Sequence, residues 1–205
     1  MREPVRIAVL VSGGGTNLQA LIDAERAGIL HSGKIVLVIS GKEGAFALDR
    51  AQAVGIPSAT IPRKSFESQK AYENAMLKML REYDVELIVL AGFLSILSAD
   101  FTKQWEKRIL NIHPSLIPSF CGKNYYGLRV HEAALERGVK VTGATVHYVN
   151  EIPDGGEIIL QKAVAIREKD TPESLQRRVM RQAEWKILPR ATEQVCAKIL
   201  RSEKV

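Results

Sequence analysis

Short hydrophobic runs alternate with amphipathic stretches through the first half of the chain. The run RIAVLV at 6–11 is apolar after its first residue, which is typical of a strand buried in a parallel sheet. Between such runs, apolar residues recur at helical spacing, and Gly28 and Gly55 stand where helices would end. The predicted strands are 6–11, 35–39, 58–61, 86–91 and 108–112, and the predicted helices between them are 16–27, 45–54, 65–83 and 98–107. This alternation predicts an α/β protein with a doubly wound parallel sheet.

The second half of the chain has a different pattern. Two strand-like segments, 142–149 and 157–164, follow each other across a polar turn at 150–156, so we expect antiparallel strands at one edge of the sheet. Proline lacks the N–H that a helix interior needs, and the last helix should therefore be interrupted near Pro189. The remaining predicted elements are a loop at 113–124 and helices at 125–137 and 171–200. The fold class expected is a Rossmann-like, mostly parallel sheet with an antiparallel edge and a long C-terminal helix.

Composition limits the class of protein. The chain has 205 residues, of which 46% are hydrophobic and 25% charged, and no apolar run approaches the ~18 residues of a membrane span. The start of the chain leads directly into the first strand, so we expect no signal peptide. Two cysteines, Cys121 and Cys196, give no disulfide framework and fit a reducing compartment. We expect a single domain over residues 1–205 in the cytoplasm, with no membrane partner.

The net charge of +6 allows either nucleic acid or small anions as ligands. The densest basic run is Arg177, Arg178 and Arg181, which lies in a predicted helix, and we interpret it as a solvated helix face. The chain has no aromatic RNA-binding motif, no zinc-finger spacing and no basic arm. Small anionic substrates are therefore favoured, and no nucleic-acid partner is expected.

A glycine-rich segment, SGGGTN at 12–17, joins the first strand to the first helix. The free N–H groups and the positive dipole at a helix N-terminus can hold a phosphate, and glycines let the backbone approach it closely. The segment is not a complete dinucleotide motif, because Leu18 stands where a third glycine belongs. A tight turn is the plain alternative, but the position after the first strand favours phosphate binding.

Polar residues stand at the end of the fifth predicted strand. Asn111 and His113 are two residues apart and therefore point to the same side of that strand. Ligands of open α/β sheets bind beyond the carboxyl ends of the strands, so this pair can converge on one reacting atom. A structural histidine is the ordinary alternative. Farther along the chain, Asp154-Gly155-Gly156 forms a turn that becomes relevant only if it folds over this pair.

Two segments match known motifs only in part. Gly28 to Lys34 matches most of a phosphate-binding Walker loop, but Ile35 replaces the hydroxyl residue and the segment runs from helix to strand. His131-Glu132 begins a zinc-protease motif, but Leu135 stands where the second histidine is required. With no remaining His/Cys cluster at metal spacing, we expect no metal.

Four segments together resemble the glycinamide ribonucleotide transformylases, a branch of the folate-dependent formyltransferases. They are RIAVLVSGGGTNLQAL at 6–21, ELIVLAGFLSILS at 86–98, LNIHPSLIPSF at 110–120 and GATVHYVNEIPDGGEIILQ at 143–161. The Asn-x-His-Pro-Ser-Leu-x-Pro string with a later Asp-Gly-Gly is shared by the superfamily, and SGGGTNL is typical of the branch that uses a ribonucleotide.

The resemblance implies transfer of a formyl group from 10-formyltetrahydrofolate, a co-substrate, to the amine of glycinamide ribonucleotide in purine synthesis. In the family the catalytic set falls on Asn111, His113 and Asp154 of this chain. The first two would donate hydrogen bonds to the tetrahedral oxyanion, and Asp154 would orient or charge His113 and pass protons. No covalent intermediate is required, so Cys121 is interpreted as structural.

The resemblance also implies binding roles and a division of the domain. Residues 1–110 would form a phosphate-binding half, and 111–205 a catalytic and folate-binding half, in a monomer or homodimer. The family frequently has arginine where this chain has Gln69 and Ser95. The implied binding residues are Gly15, Thr16 and Asn17 for the substrate phosphate, Pro114 and Glu184 for the rest of the ribonucleotide, and Leu94, Ser95, Ile96, Leu97, Asn111, Val149 and Asp154 for the folate.

Other functions remain open at this point. A formyltetrahydrofolate deformylase has a similar glycine-rich loop, and a methionyl-tRNA formyltransferase shares the Asn-x-His-Pro-Ser string. Each of those proteins has an additional domain, whereas here the first strand begins near residue 6 and only a helix follows the late strands. From another class, the chain could be a nucleotide-binding module without catalysis, although the presence of Asn111, His113 and Asp154 favours an enzyme.

Overall fold

The computed structural model describes residues 3–202, which fold around one seven-stranded sheet. Spatial order in the sheet is β3-β2-β1-β4-β5-β6-β7. The first five strands are parallel, and β6 and β7 add an antiparallel edge beside β5. The strands are β1 (Val5–Val11), β2 (Gly33–Ser40), β3 (Ser58–Thr60), β4 (Leu87–Leu90), β5 (Ile109–His113), β6 (Val141–Tyr148) and β7 (Ile158–Ala165). The predicted fold class is confirmed.

Within residues 3–202, seven α-helices cover the two faces of the sheet. They are α1 (Thr16–Arg26), α2 (Phe46–Gln52), α3 (Gln69–Glu82), α4 (Ala99–Gln104), α5 (Leu128–Arg137), α6 (Pro172–Val179) and α7 (Trp185–Ser202). The strand side chains alternate between two hydrophobic clusters: Ile7 and Val9 pack on the α1 and α7 side, whereas Ala8 and Leu10 pack on the α3 and α4 side. Within residues 3–202, no helix combines the length and apolar character needed to cross a membrane.

Two predicted helices begin later than the periodicity indicated. Residues 63–65 form a short 3-10 turn, and α3 starts only at Gln69 because the side chain of Ser68 accepts a hydrogen bond from the Ala71 N–H. Helix α5 starts at Leu128, after Gly127, and ends at Gly138, whose φ of 74° is left-handed. Before α3, the side chain of Phe66 still packs against the hydrophobic cluster on that side of the sheet, whereas Tyr125 and Tyr126 before α5 are exposed.

The long C-terminal helix is interrupted, but not at Pro189. A π turn at Met180–Glu184 joins α6 to α7, and α7 continues through Pro189. The hydrogen bond that Pro189 cannot make is the one to the carbonyl of Trp185, the first residue after the π turn. The irregularity therefore precedes the proline, and it rotates Glu184 toward the first helix.

Candidate active site

The sheet brings three loops together at the carboxyl ends of β1, β4 and β5. The strand order reverses between β1 and β4, which are hydrogen-bonded neighbours. A crevice at such a switch point is the usual ligand site of an open α/β sheet. The loops concerned are 12–15 after β1, 91–98 after β4 and the segment that follows His113 after β5. The glycine-rich segment and the Asn/His pair thus share one edge of the molecule.

Asn111, His113 and Asp154 converge at this edge. The Asn111 Nδ2 lies 3.4 Å from one carboxylate oxygen of Asp154, and the His113 Nδ1 lies 3.5 Å from the other. His113 is 4% exposed and Asp154 is mostly shielded from solvent. The turn at 154–156 therefore folds over Asn111 and His113. Sequence spacing alone could not show this contact.

His147 is a fourth member of the cluster that the sequence did not single out. In the β5–β6 register it lies directly opposite Asn111, so the two side chains share one face. Its Nδ1 is 2.7 Å from the Tyr148 carbonyl oxygen, which can only accept, and so Nδ1 carries the proton. The Nε2 then accepts from Asn111 Nδ2 at 3.1 Å and lies 3.5 Å from Asp154. A histidine within a predicted strand was the available signal in the sequence, but its position opposite Asn111 depended on the strand register.

The two ring nitrogens of His113 have different surroundings. The Nε2 is 2.8 Å from the carbonyl oxygen of Phe120, so it carries a proton, and Nδ1 faces Asp154. Burial lowers the pKa of His113 below its ordinary value, although the Asp154 carboxylate opposes this change. Burial alone would raise the pKa of Asp154, but the nearby His147 and His113 and the hydrogen bond from the Gly122 N–H lower it. At neutral pH the site therefore holds a carboxylate beside a mostly neutral imidazole.

Backbone geometry fixes the Asp154 side chain. Asp154 has a left-handed φ of 56°, and its second carboxylate oxygen accepts a 2.8 Å hydrogen bond from the Gly122 N–H. A Cβ on Gly156 would overlap with the Tyr148 carbonyl oxygen, so the turn can pack on β6 only with glycine at that position. The loop after His113 and the turn after β6 are thereby joined through Asp154.

The glycine-rich segment presents free backbone N–H groups. Gly15, at φ 69°, is the N-cap of α1, and no side chain caps that helix. A Cβ on Gly15 would overlap with Ala47, whereas Gly13 and Gly14 face open space. Arg50 holds the loop from outside by donating to the Gly14 carbonyl at 2.8 Å. This arrangement suits a phosphate group.

Asn17 and Glu184 form a buried pair beside this segment. The Asn17 Nδ2 donates to Glu184 at 2.7 Å, and both residues are at most 8% exposed. Burial raises the pKa of Glu184 to about 7, against the opposing hydrogen bond from Asn17. The Oδ1 of Asn17 is also buried and has no hydrogen-bond partner within residues 3–202. Pro114 directly follows His113 and is half-buried.

A cavity of about 130 Å³ adjoins the catalytic cluster. Six of the seven residues predicted to bind folate line it: Ser95, Ile96, Leu97, Asn111, Val149 and Asp154. Leu94 does not line it, and its backbone N–H donates to the Ser12 hydroxyl at 3.1 Å. The wall is completed by Leu90, Phe93, His147 and residues 150–153.

A buried carboxylate holds one wall of this cavity in place. Glu73, 6% exposed on α3, accepts hydrogen bonds from the Ser98 N–H at 2.7 Å and the Ser98 hydroxyl at 2.6 Å. Gln69 donates both to Glu73 at 2.6 Å and to the Ile96 carbonyl at 3.1 Å. Arg63 in turn donates to Gln69 at 2.9 Å. The irregular loop at 91–98 is thus anchored to α3.

No metal centre is formed by the part of the chain that the structure describes. Among residues 3–202, no three His, Cys, Asp or Glu side chains are arranged to hold an ion. His131 is fully buried, neither ring nitrogen has a hydrogen-bond partner there, and burial lowers its pKa to about 4. It packs as a neutral side chain near His113.

The chain is similar to known proteins over most of its length. Residues 5–192 match the family described as formyl transferase, and the chain belongs to that family. It is 44% identical over 184 residues to the phosphoribosylglycinamide formyltransferase of Haemophilus influenzae, covering 90% of this chain and 84% of that protein. A crystal structure of glycinamide ribonucleotide transformylase 1 from Symbiobacterium toebii has a TM-score of 0.88 at 40% identity, covering 95% and 89% of the two chains.

Larger proteins also contain a similar segment. The chain is 46% identical over 198 residues to the trifunctional purine biosynthetic protein adenosine-3 of Bos taurus. That match covers 96% of this chain but 19% of the bovine protein. The chain therefore spans about a fifth of the length of this relative.

Proposed function

We propose that the protein transfers a formyl group from 10-formyltetrahydrofolate to the amine of glycinamide ribonucleotide, giving formylglycinamide ribonucleotide in de novo purine synthesis. The observation that carries this proposal is the convergence of Asn111, His113 and Asp154 beside the 130 Å³ cavity. The Haemophilus influenzae relative, with which the chain shares most of its length, is named for this reaction.

The polar groups of the site suit a tetrahedral intermediate. Attack of the amine on the formyl carbon places negative charge on the formyl oxygen, and the Asn111 amide can donate to that oxygen. The developing charge also favours protonation of His113 at Nδ1, the nitrogen that faces Asp154. The proton released by the attacking amine passes, directly or through water, to Nδ1 of His113, and the Asp154 carboxylate stabilises the resulting imidazolium. The imidazolium then gives this proton to N10 as the bond between the formyl carbon and N10 breaks, so that tetrahydrofolate leaves and His113 is neutral again. No nucleophilic side chain and no metal ion is required.

The ribonucleotide is expected to lie between the glycine-rich loop and this cluster. Its phosphate would bind the N–H groups at Gly15, Thr16 and Asn17, where the α1 dipole adds attraction. Glu184 would contact the ribose or the glycinamide end, and Pro114 would pack beside it. The formyl donor would place its flat ring in the cavity lined by Ile96, Leu97 and the other predicted folate-binding residues.

Replacement of the central carboxylate tests the mechanism. Asp154→Asn keeps the side-chain shape but loses the charge, so we expect a folded protein whose kcat falls by roughly 100-fold or more. The assay supplies both substrates and follows formation of tetrahydrofolate and the formylated ribonucleotide. Asp100→Asn, an exposed carboxylate on α4, is the matched control and should retain full activity. Near wild-type turnover in Asp154→Asn would remove this residue from the mechanism.

The same assay separates the competing functions. Consumption of 10-formyltetrahydrofolate without ribonucleotide would indicate a deformylase. Tight ribonucleotide binding without turnover would indicate a binding module. Ribonucleotide-dependent formation of both products in the wild type is the outcome that the proposal requires.

A further inference from the structure

The segment 115–122, which follows β5, holds two groups of the catalytic cluster through its backbone. The Phe120 carbonyl oxygen lies 2.8 Å from the His113 Nε2, and the Gly122 N–H donates to Asp154 at 2.8 Å. Phe120 has a left-handed φ of 50°, a conformation that a phenylalanine rarely adopts. Such a backbone conformation persists only where surrounding contacts hold it. The geometry of His113 therefore depends on what anchors this segment.

The buried hydroxyl of Thr145 is one anchor of the segment. Thr145 lies on β6, directly opposite His113 in the β5–β6 register, and is fully buried. Its Oγ1 donates to the Ser115 carbonyl oxygen at 2.7 Å and accepts from the Ile117 N–H at 3.1 Å. A hydroxyl has a single proton, so any further partner of this oxygen has to be a donor.

Gln161 on the outer strand β7 supplies that donor and also holds the segment directly. Its Nε2 lies 3.0 Å from the Thr145 Oγ1 and 3.0 Å from the Ile117 carbonyl oxygen. A carbonyl oxygen can only accept, so the amide nitrogen of Gln161 is the atom that faces the segment. Thr145 and Gln161 are partners in the β6–β7 register. Gln161 thus fixes the buried hydroxyl and the backbone of the segment at once.

We propose that Gln161 is a positioning residue for formyl transfer: it holds the segment 115–122 so that the Phe120 carbonyl keeps the proton of His113 on Nε2. The Nδ1 is then free to accept the proton of the attacking amine. The proposal rests on the proposed function, in which His113 has this role. Among the described residues that line the cavity of about 130 Å³, none belongs to 115–122, and Gln161 is not one of them. Gln161 therefore affects the rate of transfer and not the binding of the formyl donor.

The charged surroundings of His113 do not include Gln161. The titratable side chains that face His113 are Asp154 from the turn after β6, His147 from β6 and His131 from α5. Within residues 3–202, none of these three is hydrogen-bonded to Gln161. Replacing Gln161 by a neutral residue therefore changes the position of the Phe120 carbonyl without changing the charges around the imidazole.

Proton–nitrogen correlation NMR of isotopically labelled protein tests the proposal directly, because it reports which ring nitrogen of a histidine carries the proton. The chain has four histidines, and His113→Asn assigns the signal of His113. At neutral pH, wild type should show His113 protonated on Nε2 alone. Gln161→Met is similar in length but has no donor, and it should show both tautomers of His113. The pKa of His113 should also fall, because the hydrogen bond to the Phe120 carbonyl raises it.

The same variant is then assayed with both substrates. We expect kcat to fall roughly fivefold to tenfold in Gln161→Met, with KM for both substrates nearly unchanged. Gln52→Met, which replaces an exposed glutamine on α2, is the matched control and should behave like wild type. Gln161 is exposed on an edge strand, so its variants should fold, and Gln161→Ala gives the same readings if Gln161→Met does not.

Two results would overturn the proposal. One is a single Nε2 tautomer of His113 in the Gln161 variants, and the other is an increase in KM with an unchanged kcat, which would assign Gln161 to substrate binding. If wild type does not formylate the ribonucleotide, the proposed function fails, whereas the tautomer of His113 still shows whether Gln161 positions this side chain.

Discussion

At the scale of single residues, the site is a set of polar groups whose protons are assigned by their neighbours. The carbonyl oxygens of Phe120 and Tyr148 each accept from one ring nitrogen, of His113 and His147 respectively, and leave the other nitrogen facing Asp154. A backbone carbonyl cannot donate, so these contacts select the tautomers. The Asp154 carboxylate therefore lies between the two histidines, next to the ring nitrogen of each that does not contact a backbone carbonyl.

His147 is expected to act through Asn111 and Asp154. In His147→Leu the Asn111 amide loses an acceptor, and we expect kcat to fall roughly tenfold, with KM for both substrates nearly unchanged. The nearby His147 side chain also lowers the pKa of Asp154, so its removal raises that pKa. The acid limb of the kcat profile should then move to higher pH. Unaltered kcat and an unaltered profile, in a variant shown to be folded by circular dichroism, would contradict this role.

Glu184 should make stability depend on pH. Its folded pKa of about 7 lies above the ordinary value of 4.5, so the folded state prefers the protonated form. The associated stability is present below pH 4.5 and is lost as pH rises through 7, by at most roughly 3 kcal/mol. Urea unfolding at pH 5 and pH 8 should show this loss in wild type and not in Glu184→Gln. Parallel pH dependences in the two proteins would refute the assignment.

At the scale of secondary-structure elements, several site residues lie on irregular segments. Neighbouring helices fix the positions of these segments. The loop at 91–98 has two exposed apolar side chains, Leu94 and Ile96, yet it is fixed through Ser98 to Glu73 on α3. Similarly, the π turn at 180–184 places Glu184 against Asn17. Such local departures from ideal helix and loop geometry are frequent at functional sites.

Glu73 should affect the formyl donor more than the ribonucleotide. Glu73→Gln replaces hydrogen bonds to a charged group by weaker ones, so we expect a loss of about 1–3 kcal/mol in the free energy of unfolding. Because the loop at 91–98 forms one wall of the cavity, KM for 10-formyltetrahydrofolate should rise several-fold, while KM for the ribonucleotide should not. Asn74→Ala, its exposed neighbour on α3, serves as the control. Equal increases in both KM values would argue against this selective role.

At the scale of the whole molecule, the antiparallel edge completes the site. Strand β6 carries His147 opposite Asn111 and leads into the turn with Asp154, while β7 covers the outer side of β6. Close packing of these strands depends on Gly143, where a Cβ would overlap with the Lys162 carbonyl oxygen on β7. Pairing of the edge strands and assembly of the catalytic cluster are therefore coupled.

Gly143→Ala should destabilise the protein strongly. The added methyl group has no room between β6 and β7, so we expect a loss of roughly 3 kcal/mol or more in the free energy of unfolding. Gly14→Ala is the matched control, because Gly14 faces open space and has no positive φ. Its free energy of unfolding should stay within roughly 0.5 kcal/mol of wild type. Comparable stability of the two variants in urea denaturation would show that β6 and β7 can separate at little cost.

Local patterns in the sequence predicted the strands, most helices, the parallel order and the antiparallel edge, because period and capping act over a few residues. They also placed Asn111 and His113 on one face of a strand end. Resemblance to a family added Asp154 and the formyl donor, and membership of the formyl transferase family is confirmed. The individual site roles stay predictions.

Only the tertiary structure decided what distant segments do together. Strand register placed His147 opposite Asn111, 36 residues apart, and folding of the turn brought Asp154 within 3.5 Å of His113. The π turn, not Pro189, determined how Glu184 meets Asn17, 167 residues away. The basic run at 177–181 borders a cleft together with Arg167 and Lys186, which lie on other elements of the fold. Such contacts follow from packing of the whole chain, whereas local spacing specifies only which face a residue occupies.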